Sequence, residues 1–569
     1  MITPPPITEQ ARAPHILPQQ SWRLARRRFN HQGGAWRLVS VVIALLAALP
    51  LLMLLPAWLT AEDEIWRHLA DTLLVSLLRN TAVLILGVGL GVFVIGVGLA
   101  WLTAMCEFPG RRIFDWALML PLGIPTYVLA FVAIGFLDFS GPVQSTLRSL
   151  FATNMGTGTL WFPPIRSEGG VIAVMVLALY PYVYMLARAA FLGQGRNVFE
   201  SGRVLGLNPW QAFFRISLPM ARPAITAGVA LALMETLADF GAVAIFNYDT
   251  FTTALYKAWF DLFNLPAAAQ LSTLLLLFVA LALMGERRSR GRARFYGSGK
   301  RPNAPRYQLT GKHAWLASGS AAVVLTLAFI IPVAQLAVWT ATTGMADFDA
   351  RYMEFASHTL LLGVMGALLT LTCALLLATI HKQWPDRITR YSTQLATLGY
   401  AMPGAVLAVG IMLLFTWIDK GIDSGINALT GEDTTGLLLS SSVIALLFAY
   451  VVRFLAVAHG PVESALERIT PSIQQAARSL GAGHREVLWR VYLPILRPGL
   501  LTAALLVFVD IMKEMPATLL LRPFDWDTLA IRIFEMTSEG EWERAALPAL
   551  TLVLVGLIPV ILLVRHSGK

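Results

Sequence analysis

The segment QAARSLGAGHREVLWRVYLPILRP, residues 475–498, carries four arginines and a histidine, yet it lies between two long apolar runs. A second segment, ESGRVLGLNPWQAFFRISLPMARP at residues 200–223, has the same pattern. The matching positions, each 275 residues apart, are Gly206, Leu218 and Pro219 in one and Gly481, Leu493 and Pro494 in the other. We refer to these two stretches as the repeated segments. The chain therefore contains an internal duplication in which polar segments interrupt apolar ones.

The composition places this chain in a membrane. Of its 569 residues, 56% are hydrophobic and only 14% are charged, and the mean hydropathy is +0.64. Those values lie outside the range of soluble globular proteins. A helix needs roughly 20 apolar residues to cross the hydrocarbon core. Runs of that kind predict about twelve transmembrane helices, at residues 38–59, 81–104, 113–137, 171–192, 223–246, 267–284, 315–338, 359–380, 396–417, 439–457, 499–521 and 546–564.

The net charge of +10 is arranged as a topology signal. Arginines cluster before the first apolar run, in both repeated segments and in the stretch 285–313, whereas acidic residues occupy the alternate loops. By the positive-inside rule, both termini and both repeated segments are cytoplasmic, and this distribution argues against nucleic-acid binding. The Pro-rich and then basic residues 1–37 are expected to form a disordered cytoplasmic tail, not a cleaved signal.

A basic linker at residues 285–313 divides the chain into regions 38–284 and 314–569, each with six predicted helices. The halves also match at PTYVLAF from Pro125 and PGAVLAV from Pro403. Six crossings return the chain to its starting side, so the halves are parallel repeats. The predicted fold is therefore an all-α membrane protein, with two homologous six-helix halves related by a pseudo-twofold axis and a pathway between them. The linker's GSGK does not satisfy the phosphate-loop pattern, so no cofactor or ATP is expected on this chain.

Each repeated segment predicts a helix, a break at its glycine and a second helix. The residues alone allow two interpretations. A cytoplasmic pair of helices can dock on a partner through its arginines, or it can lie on anionic lipid.

The spacing of the repeated segments resembles the signature loop of permeases of ABC importers. Glu200-Ser-Gly-Arg-Val-Leu-Gly206, with a Leu-Pro ending thirteen residues later, fits that loop, and the second copy fits with Gln475 in place of the acid. The resemblance implies two permease domains, two copies of an ATPase subunit that carry the ATP, a periplasmic substrate-binding protein and a bacterial inner membrane. It also implies that this chain is a transport subunit, not an enzyme. The residues expected to contact the ATPases are Glu200, Gly206, Leu218, Pro219, Gln475, Gly481, Leu493 and Pro494.

The fused layout and the stretch ETLADFG at residues 235–241 resemble permeases of ferric-iron importers. This second resemblance implies iron(III) as the substrate. Thiamine, a polyamine or a phosphonate remain alternatives within the same class. A proton-coupled secondary transporter is the alternative from a different class.

Four acidic residues lie in the apolar runs that follow the repeated segments. Glu235 and Asp239 are one helical turn apart, as are Asp510 and Glu514 in the second half, so each pair is expected to share a helix face. Helical rise places them about 20 and 26 Å above the cytoplasmic edge. Ionisable groups at such depth usually face a cavity or a partner, and carboxylate oxygens suit hard cations. The sequence predicts that these four residues line the pathway and are candidate metal ligands. A structural role, with Lys513 neutralising one of them, is the alternative.

Overall fold

The computed structural model describes residues 19–59, 63–151, 162–204, 206–290, 306–430, 438–481 and 486–567. The described α-helices of the first half are Gln19–Leu52, Asp63–Leu69, Val75–Met105, Arg111–Ala117, Thr126–Leu137, Pro142–Phe151, Glu168–Val204, Pro209–Ala212, Leu218–Ala238, Gly241–Ile245, Phe251–Phe260 and Leu265–Arg290. Those of the second half are Gly311–Leu325, Ile331–Thr342, Ala350–Gln383, Arg387–Ala396, Gly404–Thr430, Val443–Glu467, Pro471–Ser479, Leu493–Lys513, Pro516–Leu521, Leu529–Ser538 and Ala546–Ser567. Two-residue strands at Cys106–Glu107 and Tyr307–Gln308 pair in parallel.

The predicted all-α membrane architecture in two homologous halves is confirmed. Among the described residues, eleven helical segments are long and apolar enough to cross a membrane. The helix at the predicted twelfth position, Ala546–Ser567, contributes a shorter apolar stretch, Ala546–Leu562. Helices dominate because hydrocarbon offers no hydrogen-bond partners, so each backbone N–H and C=O must be satisfied within its own segment.

Several predicted boundaries differ from the structure. The first helix begins at Gln19, so residues 19–37 are helical where the sequence predicted a disordered tail, while the apolar span Gly34–Trp58 agrees with the predicted run 38–59. At the predicted linker, the helix Leu265–Arg290 runs past residue 285, and the next helix starts at Gly311. Residues 291–305, which include the GSGK stretch, lie outside the described residues.

The third predicted helix of each half is interrupted near its start. In the first half a 3-10 turn, Leu120–Gly123, separates Arg111–Ala117 from Thr126–Leu137. In the second half the 3-10 turn Thr397–Ala401 stands before the helix Gly404–Thr430. The residues that prevent a continuous helix are Pro121 and Pro125 in the first half and Pro403 in the second, because proline lacks the N–H that an interior helix position donates.

The first helix of the chain packs against the second half. Gln19–Leu52 lies along Arg387–Ala396 and Gly404–Thr430. Its Ala47 belongs to the same buried cluster as Ala405. The first half therefore completes the core of the second with its own leading helix.

The helices that open the second half pack, in turn, against the first half. Ile331–Thr342 packs against Thr126–Leu137 of the first half, where the rings of Phe131 and Trp339 are stacked with centroids 6.4 Å apart. Such reciprocal packing is what a pseudo-twofold relation between the halves requires. Neither half has a complete apolar core without the other.

Two polar contacts join the halves beside these leading helices. Arg37 forms an ion pair with Asp386, with Nε and Oδ2 2.6 Å apart. Arg306, next to the strand Tyr307–Gln308, places Nη1 3.5 Å from Oε2 of Glu107. Arg37 lies within the leading helix of the first half, and Arg306 lies just before that of the second half. In both cases the arginine binds an acid that follows the second long helix of the other half. Both ion pairs therefore stabilise the same relative arrangement of the two halves.

Asp386 provides a test of this junction, because it also caps the helix Arg387–Ala396 by accepting the N–H of Thr389 at 2.9 Å. Asn retains a cap, so Asp386→Asn should cost only the ion pair, about 0.2–1 kcal/mol of unfolding free energy. Asp386→Ala should lose about 1 kcal/mol more. The thermal midpoint of the detergent-solubilised protein measures both effects.

The matched control is Asp349, which caps Ala350–Gln383 by accepting the N–H of Tyr352 at 2.8 Å and has no ion pair among the described residues. Asp349→Asn should therefore leave the midpoint unchanged. Partial burial raises the pKa of Asp386, but hydrogen bonds from Thr389 and Arg37 outweigh it and hold that pKa below its usual range. The stabilisation is present above the unfolded-state pKa and is lost as pH falls through the folded-state pKa, so wild type and Asp386→Asn should converge in acid. A difference that persists in acid would contradict this assignment.

Candidate functional site

A cavity of about 180 Å³ lies between the two halves, and residues of both halves line it. All four predicted pathway acids reach this one cavity. We call it the acidic cavity and define it by Glu235, Asp239, Asp510 and Glu514. The other polar side chains on its wall are Thr126, Tyr127, Tyr182, Tyr400, Arg453 and Lys513.

Asp239 stands at a helix break. The helix Leu218–Ala238 ends before it, and its own backbone is extended, with φ −68° and ψ 130°. Its carboxylate accepts the backbone N–H of Ala242 at 2.8 Å, at the start of the short helix Gly241–Ile245. It also accepts the hydroxyl of Thr126. Asp239 therefore satisfies backbone groups that the break would leave unpaired.

Glu514 has the same position in the second half. The helix Leu493–Lys513 ends before it, and its φ of −71° and ψ of 108° are again extended. Oε1 of Glu514 accepts the N–H of Ala517 at 3.2 Å, in the first turn of the helix Pro516–Leu521. The two breaks are thus homologous and are capped by homologous carboxylates.

These breaks correct one detail of the sequence prediction. Glu235 and Asp510 lie in the last turns of their helices, whereas Asp239 and Glu514 lie beyond the helix ends. The expectation that each pair shares one face of a continuous helix is therefore wrong. The acids still converge, because the chain turns at the break and keeps the capping carboxylate beside the cavity.

Arg453 forms a buried ion pair on the cavity wall. Its Nε lies 2.9 Å from Oε2 of Glu514, and the two side chains are only 11% and 6% exposed. Nη1 of Arg453 donates to the carbonyl of Met402 at 2.6 Å. Gly404 makes room for the pair, since a Cβ there would overlap Oε1 of Glu514 and lie 3.4 Å from Nη1 of Arg453. The pair is held on three sides by the helix Val443–Glu467, by the turn before Gly404 and by the break at Glu514.

Two further contacts cross between the halves at the acidic cavity. The hydroxyl of Tyr400 donates to Oε1 of Glu235 at 3.3 Å. Nζ of Lys513 donates to the carbonyl of Leu122 at 3.1 Å, and Lys513 is close enough to Asp510 for their charges to interact. The second half therefore supplies the partners of acidic and backbone groups in the first half.

The four candidate metal ligands do not form a preassembled ligand set. Among the described residues, no group of three or more His, Cys, Asp or Glu side chains has the spacing to hold a metal ion. Asp239 and Glu514 are engaged as caps, while Glu235 is bonded to Tyr400. Counted as ionised groups, the cavity carries four negative charges and two positive ones. It can attract a cation without enclosing it.

The repeated segments have the predicted helix, break and helix. In the first copy Glu168–Val204 contains Glu200, and Pro209–Ala212 and Leu218–Ala238 follow the break. In the second copy Pro471–Ser479 contains the exposed Gln475 and is followed by Leu493–Lys513, while residues 482–485 lie outside the described residues. The break glycines Gly206 and Gly481 have φ of +69° and +84°. The helices after the breaks open with Leu218 and Pro219 and with Leu493 and Pro494.

Gly206 and Gly481 are exposed, and a Cβ at either would meet nothing within 4 Å. Their requirement for glycine is therefore conformational and not steric, because positive φ is unfavourable for other residues. The roles of these segments and of Glu200, Leu218, Pro219, Gln475, Leu493 and Pro494 remain predictions from the resemblance.

The sequence interpretation missed Arg453 and Tyr400. A signal for Arg453 was present, because it is the one charged residue in the predicted apolar run 439–457, and a charge at such a position is costly unless it has a partner. Tyr400 and Tyr127 had no comparable signal, since aromatic residues are common in membrane helices. Only the fold shows that they line the acidic cavity.

Gly404 allows a test of the wall of this cavity. Gly404→Ala should lower the free energy of unfolding by about 1–3 kcal/mol, because the added methyl group displaces Glu514 from its cap and from Arg453. Gly319→Ala is the matched control, since a Cβ at that position would meet nothing within 4 Å. Thermal midpoints of the two purified variants provide the comparison. Equal midpoints for both would show that Glu514 is not confined as described.

Comparison with known proteins is consistent with the duplicated architecture. The model of one family, described as the binding-protein-dependent transport system inner membrane component, matches residues 93–290 and again residues 366–568. Each half therefore contains one copy of the same family domain.

The relatives include single chains with the same fused layout. Over 501 residues the chain is 30% identical to the Fe(3+)-transport system permease protein FbpB 2 of Haemophilus influenzae, covering 87% of this chain and 90% of that protein. It is 22% identical over 510 residues to the ferric transport system permease protein FbpB of Actinobacillus pleuropneumoniae, covering 85% and 70%. It is also 29% identical over 192 residues to the molybdenum transport system permease protein ModB of Escherichia coli, covering 33% and 80%.

The resemblance to fused ferric-iron permeases is confirmed by these matches. Together with the eleven apolar helices, they make this a multi-pass inner-membrane protein. The chain belongs to the family of binding-protein-dependent transport system inner membrane components, and it is an ABC importer permease with two homologous domains.

Proposed function

We propose that this permease translocates iron(III) delivered by an extracytoplasmic binding protein, driven by two ATPase subunits that contact its repeated segments. The observation that carries the proposal is the convergence of four carboxylates, two from each half, on one cavity between the halves. Relatives that cover most of the chain are named as Fe(3+) or ferric permeases. In this proposal ATP is hydrolysed on the partner subunits, and both termini of the permease are cytoplasmic.

The chemistry of the acidic cavity favours a hard cation. Carboxylate oxygens are the donors that such ions prefer, and the negative side chains on the wall outnumber the positive ones. A permease must also release what it admits, so weak binding suits it better than a closed ligand cage. Asp239 and Glu514 already accept backbone hydrogen bonds, which is consistent with weak binding of a cation.

Each repeated segment is linked to the cavity by one helix. Leu218–Ala238 opens with the Leu-Pro of the first segment and ends just before Asp239, and Leu493–Lys513 makes the same connection to Glu514. A helix of 21 residues is about 30 Å long. In the proposed mechanism, nucleotide-dependent closure of the ATPases moves the two segments together, and these helices transmit the movement to both sides of the cavity. Alternating access between two parallel repeats would follow.

An oxyanion is the second candidate substrate. Arg453 and Lys513 bring two positive charges to the cavity wall, and the molybdenum permease of Escherichia coli is among the relatives. Both cations, however, already have acidic or carbonyl partners. Thiamine, a polyamine and a phosphonate remain alternatives within the family. The family assignment argues against a proton-coupled secondary transporter.

Iron uptake tests the substrate and the acids together. Glu235→Gln and Asp510→Asn remove charge from the cavity without removing either helix cap, so each should reduce uptake of radioactive iron(III) by about tenfold or more while the protein still reaches the membrane. The host is a deletion strain complemented with the intact or altered gene. Glu354→Gln, at an exposed acid outside the cavity, is the control.

Molybdate, thiamine and a polyamine are assayed in parallel in the same strains. Uptake of iron that is indifferent to the gene would refute the proposed substrate. Gene-dependent uptake of molybdate would favour the oxyanion.

A separate prediction concerns the repeated segments. Gly206→Ala and Gly481→Ala each force a side chain into positive φ at a cost of about 1–2 kcal/mol, which should distort the segment and reduce ATP-dependent uptake. Gly540→Ala is the matched control. Gly540 also has a positive φ, +82°, and open space around it, but it lies in the turn after Leu529–Ser538 and not in a repeated segment. Equal losses in all three variants would attribute the effect to general instability.

A further inference from the structure

We propose that Arg453 is an internal counter-ion of the acidic cavity, which occupies the carboxylates while the substrate cation is absent and gives them up when the cation arrives. This inference rests on the proposed function and adds a specificity-determining residue to it. Arg453 would thereby set how weakly the cavity holds a trivalent cation.

The position of Arg453 carries the inference. Its guanidinium is paired with Glu514 at 2.9 Å and is close enough to Glu235, on the opposite half, for their charges to interact. The same Glu235 accepts the hydroxyl of Tyr400. One cation from the second half therefore interacts with an acid of each half on the wall of the cavity.

The distribution of charge on the wall is unequal. The acids are divided evenly, but both cations, Arg453 and Lys513, come from the second half. Without them, four acids around about 180 Å³ would repel one another in a medium of low dielectric. Their uncompensated negative charge would also attract a trivalent ion more strongly and slow its release.

Exchange of the two cations is favourable on electrostatic grounds. At equal distance a trivalent ion attracts a carboxylate about threefold more strongly than a guanidinium does. The guanidinium keeps its hydrogen bond to the carbonyl of Met402, so it does not become wholly unpartnered when Glu514 turns away. Arg453 is thus able to yield its acid without leaving the wall.

An independent observation points to a ligand in the same place. Tyr127 lines the cavity and is only 4% exposed, yet its hydroxyl has no hydrogen-bond partner among the described residues. The phenol lies within electrostatic reach of both Glu514 and Asp239. A buried hydroxyl is costly to leave unsatisfied, so this group is suited to bind the incoming ion or its water of hydration.

Lys513 is the natural comparison for Arg453. It lines the same cavity, but its Nζ donates to the carbonyl of Leu122, and its stem lies against Gly556, where a Cβ would be 2.7 Å from its Cε. The charge of Lys513 interacts with that of Asp510. Its contacts assign Lys513 to the junction between the halves and leave Arg453 as the exchangeable cation.

The test measures binding of terbium(III), a luminescent trivalent probe, to the full-length protein in lipid nanodiscs. Arg453→Met removes the positive charge and should raise the affinity by about tenfold or more. Glu514→Gln should lower it by a similar factor. The double variant, Arg453→Met with Glu514→Gln, has the same net charge as wild type and should bind with nearly the wild-type affinity. Arg453→Lys should also remain close to wild type.

The gain of affinity in Arg453→Met distinguishes a counter-ion from a structural residue, since breaking a purely structural ion pair would weaken binding in both single variants. If Arg453→Met does not fold, Arg453→Gln, which loses the charge but keeps an amide donor for the carbonyl of Met402, should show the same gain of affinity. Unchanged affinity in folded Arg453→Met would overturn the proposal. Weaker binding of an iron–citrate complex by Arg453→Met, with terbium binding unchanged, would overturn it in favour of an anion site.

Uptake separates this inference from the proposed function. Iron uptake by Arg453→Met should be slower at saturation, with a lower half-saturating concentration, because tighter binding delays release. If wild type does not transport iron, the proposed substrate fails, whereas the affinity order in nanodiscs still tests the counter-ion. If wild type transports iron and the affinity order is absent, only the counter-ion fails.

Discussion

The structure depends on the need to satisfy backbone hydrogen bonds where a helix ends inside an apolar bundle. Hydrocarbon supplies no partner for a free N–H, so the breaks after Leu218–Ala238 and Leu493–Lys513 require caps. Asp239 and Glu514 provide them. Those same carboxylates line the cavity between the halves. Asp239 and Glu514, which the sequence predicts to line the pathway, are therefore also needed to begin the short helix that follows each of them.

Reciprocal packing keeps the two breaks opposite one another. The leading helix Gln19–Leu52 is part of the second half's core, and Ile331–Thr342 is part of the first half's. The cavity is consequently a property of the pair, since Tyr400 and Lys513 bind groups on the opposite half. A movement of one half relative to the other must change these contacts. That dependence is what makes an interface cavity suited to alternating access.

Charge balance links the fold to the proposed substrate. Burial of an ion pair is tolerated when each ion retains good partners, and removing one partner is far more costly than removing both. The pair of Arg453 and Glu514 fits this condition, because the guanidinium also binds the carbonyl of Met402 and the carboxylate also binds the N–H of Ala517. With these partners the wall of the acidic cavity is stable without substrate, and its carboxylate oxygen atoms still face an incoming cation.

The sequence by itself determined the membrane class, the duplication, the helix breaks at Gly206 and Gly481, and the four acids of the cavity. These follow from local properties: hydropathy, a constant offset, the conformational freedom of glycine, and charge in an apolar run. Tertiary structure alone decided that Asp239 and Glu514 lie beyond their helix ends and that Arg453, Tyr400 and Tyr127 meet them. Those contacts join residues far apart in the chain, in part across the two halves, and no local pattern specifies which side chains come together when two apolar surfaces pack.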